Sequence, residues 1–139
     1  MIGLLIITHE AIGEAYRSLA QHFFFGDTPQ NIRILGVDTH EDHDSIISRA
    51  RQMTADLNCD AGVLIMTDIF GATPCNAARQ LVESGKTAML TGLNAPMMVK
   101  AANYAPAADN LAAFTQLVKE AAVNGIIDIT SPPEGCSIL

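Results

Sequence analysis

The sequence predicts a single α/β domain built on a doubly wound, mostly parallel sheet of four strands with helices on both faces. Its 139 residues, 49% of them hydrophobic, suffice for one core but not for two domains. Four short apolar runs are nearly continuous in Val, Ile, Leu and Met, as expected for strands that helices cover on both faces. Helical patterns lie between these runs, as in repeated βα units. The predicted strands are residues 2–7, 32–37, 62–67 and 86–90.

Apolar residues between the strands recur every three or four positions, which is the spacing of one helix face. The first such pattern has Ala11, Ala15, Leu19 and Phe23, and the next two span residues 46–57 and 77–82. After the fourth strand we expect a short helix over 96–104 and a longer one over 109–123.

The C-terminal part of the chain has a different pattern. Residues 126–129 alternate between apolar and polar, which is typical of an edge strand, and we expect this strand to be antiparallel. We place the domain at residues 1–130 and expect residues 131–139, which include two prolines and a glycine, to form an extended tail.

The charge and cysteine content exclude several classes of protein. Eight basic against 15 acidic residues give a net charge of -7, the wrong sign for binding nucleic acid or an anionic bilayer. No apolar run reaches the length of a membrane span. The three cysteines form neither a close pair nor an even set. We therefore expect a cytoplasmic protein that neither inserts into a membrane nor binds nucleic acid.

In an open α/β sheet the functional site lies at the carboxyl ends of the strands. Here the first strand is followed by Thr8, His9 and Glu10, the second by Asp38, and the third by Asp68. Three of the four strands thus place an ionisable group at this edge.

The segment that follows Asp68 has the composition of an anion-binding turn. Thr73 before Pro74 predicts a helix start, with Thr73 as the N-cap residue. Gly71 and Ala72 are small enough for a ligand to approach their backbone amides, which could hold a phosphoryl group. A tight strand-to-helix turn alone would show the same four residues.

A doubly wound sheet places its first strand beside its third, so we expect His9 and Asp68 to meet. A carboxylate that accepts from one imidazole nitrogen leaves the lone pair of the other nitrogen free for nucleophilic attack. Together with the anion-binding turn, this arrangement predicts a phosphohistidine carrier. For His9 taken alone, a hydrogen bond to a loop carbonyl would be the simpler interpretation.

Three segments of the chain resemble, in order, the IIA component of the mannose type (mannose, fructose and sorbose) in the phosphoenolpyruvate-dependent sugar phosphotransferase system. They are the opening strand running into Thr8 and His9, residues 67–78 and residues 91–97. The resemblance implies that His9 accepts a phosphoryl group from the phosphocarrier HPr and passes it to a histidine of a IIB partner. It also implies that Asp68 orients His9, and that Thr73 and the amides of Gly71 and Ala72 hold the phosphoryl oxygens. Similar proteins are homodimers in which the C-terminal strand crosses to the other subunit.

This chain departs from the family pattern at two positions of the anion-binding turn. The family more often has a second glycine and a serine where this chain has Ala72 and Thr73. The extra methyl groups keep the backbone and hydroxyl donors, but we expect them to affect how closely a partner histidine docks.

The other candidate residues are better explained by structural roles, such as helix capping and packing, than by a role in a functional site. The segment from His40 to His43 has too few ligands for a metal site, and Asp42 or Asp44 is expected to cap the second helix. His22 should border the core, and Cys75 should serve in packing. A glycine-rich nucleotide turn and a nucleophile elbow are both absent from the sequence, so we expect no metal and no cofactor.

The alternative function is regulatory. In such a protein the phosphorylation state of His9 would be sensed by a kinase or a transcription regulator, with no transfer to a permease. The sequence is compatible both with this sensing function and with phosphoryl transfer for sugar uptake.

Overall fold

Strands and helices alternate along the chain in the computed structural model, which describes residues 1–23 and 29–133. The elements are β1 (Gly3–His9), α1 (Glu10–Phe23), β2 (Ile32–Val37), α2 (His43–Leu57), β3 (Val63–Thr67), α3 (Thr73–Arg79), β4 (Thr87–Leu90), α4 (Ala95–Tyr104), a short 3₁₀ turn (Ala105–Ala107) and α5 (Leu111–Asn124). The four predicted strands are confirmed to within two residues at each end. None of these helices is long and apolar enough to cross a membrane.

The strands form one parallel sheet in the order β2-β1-β3-β4. β1 therefore lies in the interior of the sheet beside β3, as predicted. Ile7 of β1 is in register with Thr67 of β3, and His9 is in register with Val37 of β2. The carboxyl ends of β1 and β3 consequently lie side by side, which places His9 next to the segment that begins at Asp68.

Helices cover both faces of the sheet and create two apolar layers. Leu4 and Ile6 of β1 pack with residues of α1, α4 and α5, whereas Leu5 and Ile7 pack with residues of α2 and α3. All four side chains are at most 1% exposed. Burial on both faces is the reason why these strands are apolar at successive positions, and it confirms the doubly wound prediction.

Side chains cap three of the helices at their N-termini. Asp42 Oδ2 accepts the N–H of Ser45 at 3.2 Å in α2. Asn94 caps α4 and Asn110 caps α5 in the same manner, each at 2.9 Å. The expectation that an aspartate caps the second helix is thus confirmed for Asp42.

The predicted start of α3 is wrong by one residue. Ala72, not Thr73, is the N-cap, and Thr73 is the first helical residue. Ala72 has no side-chain oxygen that could accept a capping hydrogen bond, and the start of α3 has no side-chain cap. Pro74 fixes helical φ wherever it stands in the first turn, so it sets the helix in place without setting which residue is the cap.

The C-terminal residues 126–130 have no regular secondary structure within the single chain. The side chains of Ile126, Ile127 and Ile129 are 75%, 72% and 80% exposed. The predicted edge strand is therefore not formed on this sheet, and its exchange with a second subunit stays a prediction. Of the predicted tail, residues 134–139 lie outside the described residues.

Gly62, the residue before β3, has φ +112°, and a Cβ added there would lie 2.9 Å from the Lys86 carbonyl oxygen. Gly85 has φ +79° with nothing within 4 Å of an added Cβ. We expect Gly85→Ala to lower the free energy of unfolding by about 1 to 3 kcal/mol through backbone strain. Gly62→Ala should cost more, because the β3–β4 backbone must also move. Urea denaturation measures the free energy of unfolding of both variants. Equal decreases in the two would contradict the prediction that Gly62→Ala is the more destabilising.

Candidate functional site

His9 lies at the junction of β1 and α1, where the strand ends and the next residue begins the helix. Its side chain is 38% exposed, although the preceding residues of β1 are buried. The ring therefore has one edge in the protein and one edge open to an incoming group.

Asp68 is the residue that holds the inner edge of the His9 ring. Its side chain is 5% exposed and it accepts three hydrogen bonds. Oδ2 accepts from the His9 backbone N–H at 3.0 Å and from the ring nitrogen Nδ1 at 2.6 Å. Oδ1 accepts from the backbone N–H of Ile69 at 2.9 Å. The predicted contact between His9 and Asp68 is thus present, and the backbone N–H of His9 strengthens it.

Two opposing effects determine the pKa of Asp68. Burial raises it, because the charged carboxylate loses hydration. The hydrogen bonds from the backbone and ring of His9 and from the Ile69 N–H lower it, and together they hold the pKa of Asp68 below its usual range. Asp68 is consequently ionised at neutral pH and can only accept hydrogen bonds. Nδ1 of neutral His9 must then carry the proton, which leaves the lone pair on Nε2.

The lowered pKa predicts how Asp68 contributes to stability as pH changes. A carboxyl group whose pKa is lower in the folded chain stabilises the fold above its unfolded pKa, for which the ordinary value is 3.8. That contribution is lost as pH falls from this value through the lower folded pKa. We expect Asp68→Asn to be less stable than the native chain at pH 7, with the difference shrinking below about pH 4. Urea denaturation at a series of pH values measures it, and a difference that is constant from pH 7 down to about pH 2 would contradict it.

The segment after Asp68 turns sharply into α3. Gly71 has φ +85°, a conformation that favours glycine, and the N–H of Ala72 donates to the Ile69 carbonyl at 3.3 Å. The first hydrogen bond of α3 runs from the Asn76 N–H to the Ala72 carbonyl at 2.9 Å. The N–H groups of Thr73 and Cys75 therefore have no acceptor carbonyl within α3, as in any first turn of a helix.

The three predicted phosphoryl-binding residues, Gly71, Ala72 and Thr73, all lie in this turn, on the C-terminal side of Asp68 and separated from it by Ile69 and Phe70. They differ in what their amides can offer. The Ala72 N–H is engaged within the turn, while the Thr73 N–H lies in the first turn of the helix. The side chain of Asn76 donates to the Gly71 carbonyl at 3.1 Å, which braces the turn from the helix side.

The loop between β4 and α4 fixes the end of β3 from the other side. The Gly92 N–H donates to the Asp68 carbonyl at 3.1 Å, and the Leu93 N–H donates to the Thr67 carbonyl at 2.9 Å. In the sequence this loop belongs to the segment 91–97 that carries the family resemblance, but no role was assigned to it. Its backbone amides, which leave no signature in the side-chain pattern, hold the backbone of Thr67 and of Asp68, the residue that accepts from His9.

Cys75 is fully buried, as expected for a residue that serves in packing. The prediction that His22 borders the core is wrong, because its side chain is exposed near the end of α1. The His22 ring packs edge-on against Phe23, which is itself 46% exposed, with the ring centres 5.7 Å apart. Across residues 1–23 and 29–133, no three His, Cys, Asp or Glu side chains lie close enough to hold a metal ion.

Three solved structures share this fold. They are phosphotransferase system component EIIA from Streptococcus agalactiae, the mannose/sorbose specific IIA subunit of the phosphotransferase system from Enterococcus faecalis, and the PTS IIA protein associated with the fucose utilization operon from Streptococcus pneumoniae. In that order the TM-scores are 0.77, 0.78 and 0.73, and the identities are 19%, 17% and 22%. The matches cover 92%, 94% and 91% of this chain and 97%, 96% and 92% of the other.

A comparison with protein families finds a match over most of the sequence. Residues 3–119 match the model of the PTS system fructose IIA component. This match includes β1 with His9, the segment that follows β3 and the β4–α4 loop. The chain therefore belongs to the fructose and mannose family of IIA components, the phosphotransfer proteins of the sugar phosphotransferase system.

Proposed function

We propose that this protein carries a phosphoryl group on Nε2 of His9, accepting it from HPr and passing it to a histidine of a IIB partner. The observation that supports this proposal best is the 2.6 Å contact between His9 Nδ1 and the Asp68 carboxylate. It directs the proton to Nδ1 and leaves Nε2, on the exposed edge of the ring, as the nucleophile.

The reaction transfers the phosphoryl group between two imidazoles, and one N–P bond is broken for each N–P bond that forms. The Nε2 lone pair of His9 attacks phosphorus, the N–P bond of the donor histidine breaks, and the donor leaves with that electron pair. Phosphorylation at Nε2 makes the imidazole of His9 cationic while Nδ1 keeps its proton. The buried Asp68 carboxylate then stabilises this charge. Transfer to the IIB histidine is the same step with His9 as the leaving group.

Gly71, Ala72 and Thr73 are proposed to hold the phosphoryl oxygens during both transfers. The positive end of α3 favours the negative oxygens, and the N–H and hydroxyl of Thr73 are suitable donors. The Ala72 N–H must leave the Ile69 carbonyl to join them, and its 3.3 Å bond is long enough for this to cost little.

The partners and assembly follow from the same proposal. We infer a cytoplasmic homodimer, with the exposed isoleucines of residues 126–129 supporting exchange of that segment between subunits. HPr and IIB would dock in turn on the edge of the sheet where His9 is exposed.

The experiment that tests the proposal follows labelled phosphate from phosphoenolpyruvate through purified enzyme I and HPr to the native chain. We expect one acid-labile phosphoryl group per chain, which chases onto IIB when that partner is added. A label that IIB does not remove, together with phosphorylation-dependent binding of a kinase or transcription regulator, would instead support the regulatory function. A folded native chain that takes no label from HPr and enzyme I of its own source would refute the proposal.

A further inference from the structure

Two threonines occupy equivalent positions beside the proposed site. Thr8 precedes His9 in β1 and Thr67 precedes Asp68 in β3, and both side chains are 0% exposed. A buried hydroxyl nearly always has a hydrogen-bond partner, because an unpaired one loses its hydration without compensation. The two threonines differ in this respect.

The Thr8 hydroxyl donates to the backbone carbonyl of His9 at 2.9 Å. In contrast, the Thr67 hydroxyl has no partner among the residues that the structure describes. By strand alternation Thr8 lies on the α1 side of the sheet with Leu4 and Ile6. A valine at Thr8 would satisfy that apolar layer equally well, so the hydroxyl there has a role other than packing.

The hydroxyl of Thr8 completes a set of contacts that hold His9 on both sides of its Cα. The His9 N–H donates to Asp68 Oδ2 at 3.0 Å, and the His9 carbonyl accepts from Thr8. Fixing both flanking peptide groups fixes the direction of the Cα–Cβ bond. The contact between Nδ1 and Asp68 then fixes the ring about that bond. The direction in which Nε2 points is therefore set by Thr8 and Asp68 together.

Gly13, one turn into α1, has no side chain and so leaves room for the same hydroxyl. A Cβ added to Gly13 would lie 3.0 Å from Thr8 Oγ1 and 3.5 Å from the Gly36 Cα, and the first distance is closer than ordinary van der Waals contact. Glycine is the poorest helix former after proline, so its presence inside a 14-residue helix calls for a reason. The space taken by the Thr8 hydroxyl supplies one.

We propose that Thr8 is a positioning residue for phosphoryl transfer through His9, and that Gly13 lacks a side chain so that the Thr8 hydroxyl can reach the His9 carbonyl. This inference rests on the proposed function of His9. Thr8 is fully buried and would not touch the phosphoryl group. It acts through the backbone of His9, and an error in the angle of the ring would slow transfer without weakening the binding of HPr.

The test compares Thr8→Val with Thr8→Ser and with Thr67→Val, a matched control at the equivalent buried position of β3. We expect Thr8→Val to lower kcat for phosphorylation by HPr roughly 10- to 100-fold with little change in KM. Thr8→Ser keeps the hydroxyl and should restore most of the rate. Thr67→Val removes a hydroxyl that has no partner in the described structure and should keep the native kcat.

A second readout reports on positioning without phosphoryl transfer. ¹⁵N NMR of the His9 ring should show a predominant Nδ1–H tautomer in the native chain, in Thr8→Ser and in Thr67→Val, and a mixed population in Thr8→Val. A folded Thr8→Val with native kcat and a native ring spectrum would overturn the proposal. If the native chain takes no label, the proposed function fails, and the ring spectra alone decide whether Thr8 positions His9.

Gly13→Ala covers the case in which Thr8→Val does not fold. Alanine favours the helix intrinsically, but its Cβ would lie 3.0 Å from Thr8 Oγ1, so the hydroxyl would have to shift away from it. We expect a folded protein with a reduced kcat and a mixed ring tautomer. Native values for both in Gly13→Ala would equally overturn the proposal.

Discussion

Replacing His9 by glutamine is expected to abolish labelling of the chain by phosphorylated HPr, with a loss of more than ~1,000-fold in rate, as for removal of other catalytic nucleophiles. Glutamine can still donate a hydrogen bond to Asp68, so the fold around the site should survive. It has no lone pair of sufficient nucleophilicity to form the N–P bond. Autoradiography of the acid-labile product measures the loss.

The matched control for this experiment is His43→Gln, at the first position of α2. It changes a histidine near the same edge of the sheet that has no role in the proposed transfer, so its labelling should equal that of the native chain. Acid-labile phosphate on His9→Gln, or its loss from His43→Gln, would assign the phosphoryl group to a different histidine.

The second large effect is expected for Asp68→Asn, which should slow phosphorylation of His9 by roughly 100-fold or more. Asparagine has nearly the same shape as aspartate, but it is neutral and its amide nitrogen donates. It therefore neither enforces the Nδ1–H tautomer nor stabilises the cationic phosphoimidazole. The loss should fall on kcat, because Asp68 is buried away from the surface on which HPr would dock. Steady-state kinetics with phosphorylated HPr separates kcat from KM.

Asp38→Asn is the control for the loss of a carboxylate at this edge. Asp38 directly follows β2, as Asp68 follows β3, but it is exposed, and its Oδ1 accepts from the Thr39 hydroxyl and the His40 backbone N–H. Its replacement should leave kcat unchanged. Equal losses in the two variants would indicate a general effect of charge at the edge and would contradict the role of Asp68 as the partner of His9.

Much of the fold could be predicted because burial on two faces leaves a direct signature in the sequence. Strands covered by helices on both sides must be apolar at successive positions, and β1 and β3 are. Helix starts with a polar cap, such as Asp42, could be predicted for a similar reason, since the cap and its donor are three residues apart. These features depend on local spacing, which a sequence displays.

The C-terminal segment and the start of α3 show where such local patterns reach their limit. Alternation at Ile126, Ile127 and Ile129 indicates a strand that needs a neighbour, but it does not say which strand or which subunit supplies one. At α3, Thr73 has the chemistry of a cap, and yet the chain reverses at Gly71 so that Ala72 takes that position.

The residue pattern was enough to predict the doubly wound sheet, the placement of His9 and Asp68 at the carboxyl ends of neighbouring strands, and the family to which the chain belongs. The three-dimensional packing was needed to show that one oxygen of Asp68 accepts both the ring and the backbone N–H of His9. It was also needed to show that the Thr8 hydroxyl is paired, while the Thr67 hydroxyl has no partner among residues 1–23 and 29–133. The physical reason is that periodic burial is a local property of the chain. The direction of a hydrogen bond between residues 59 positions apart is set by how the strands and turns pack together.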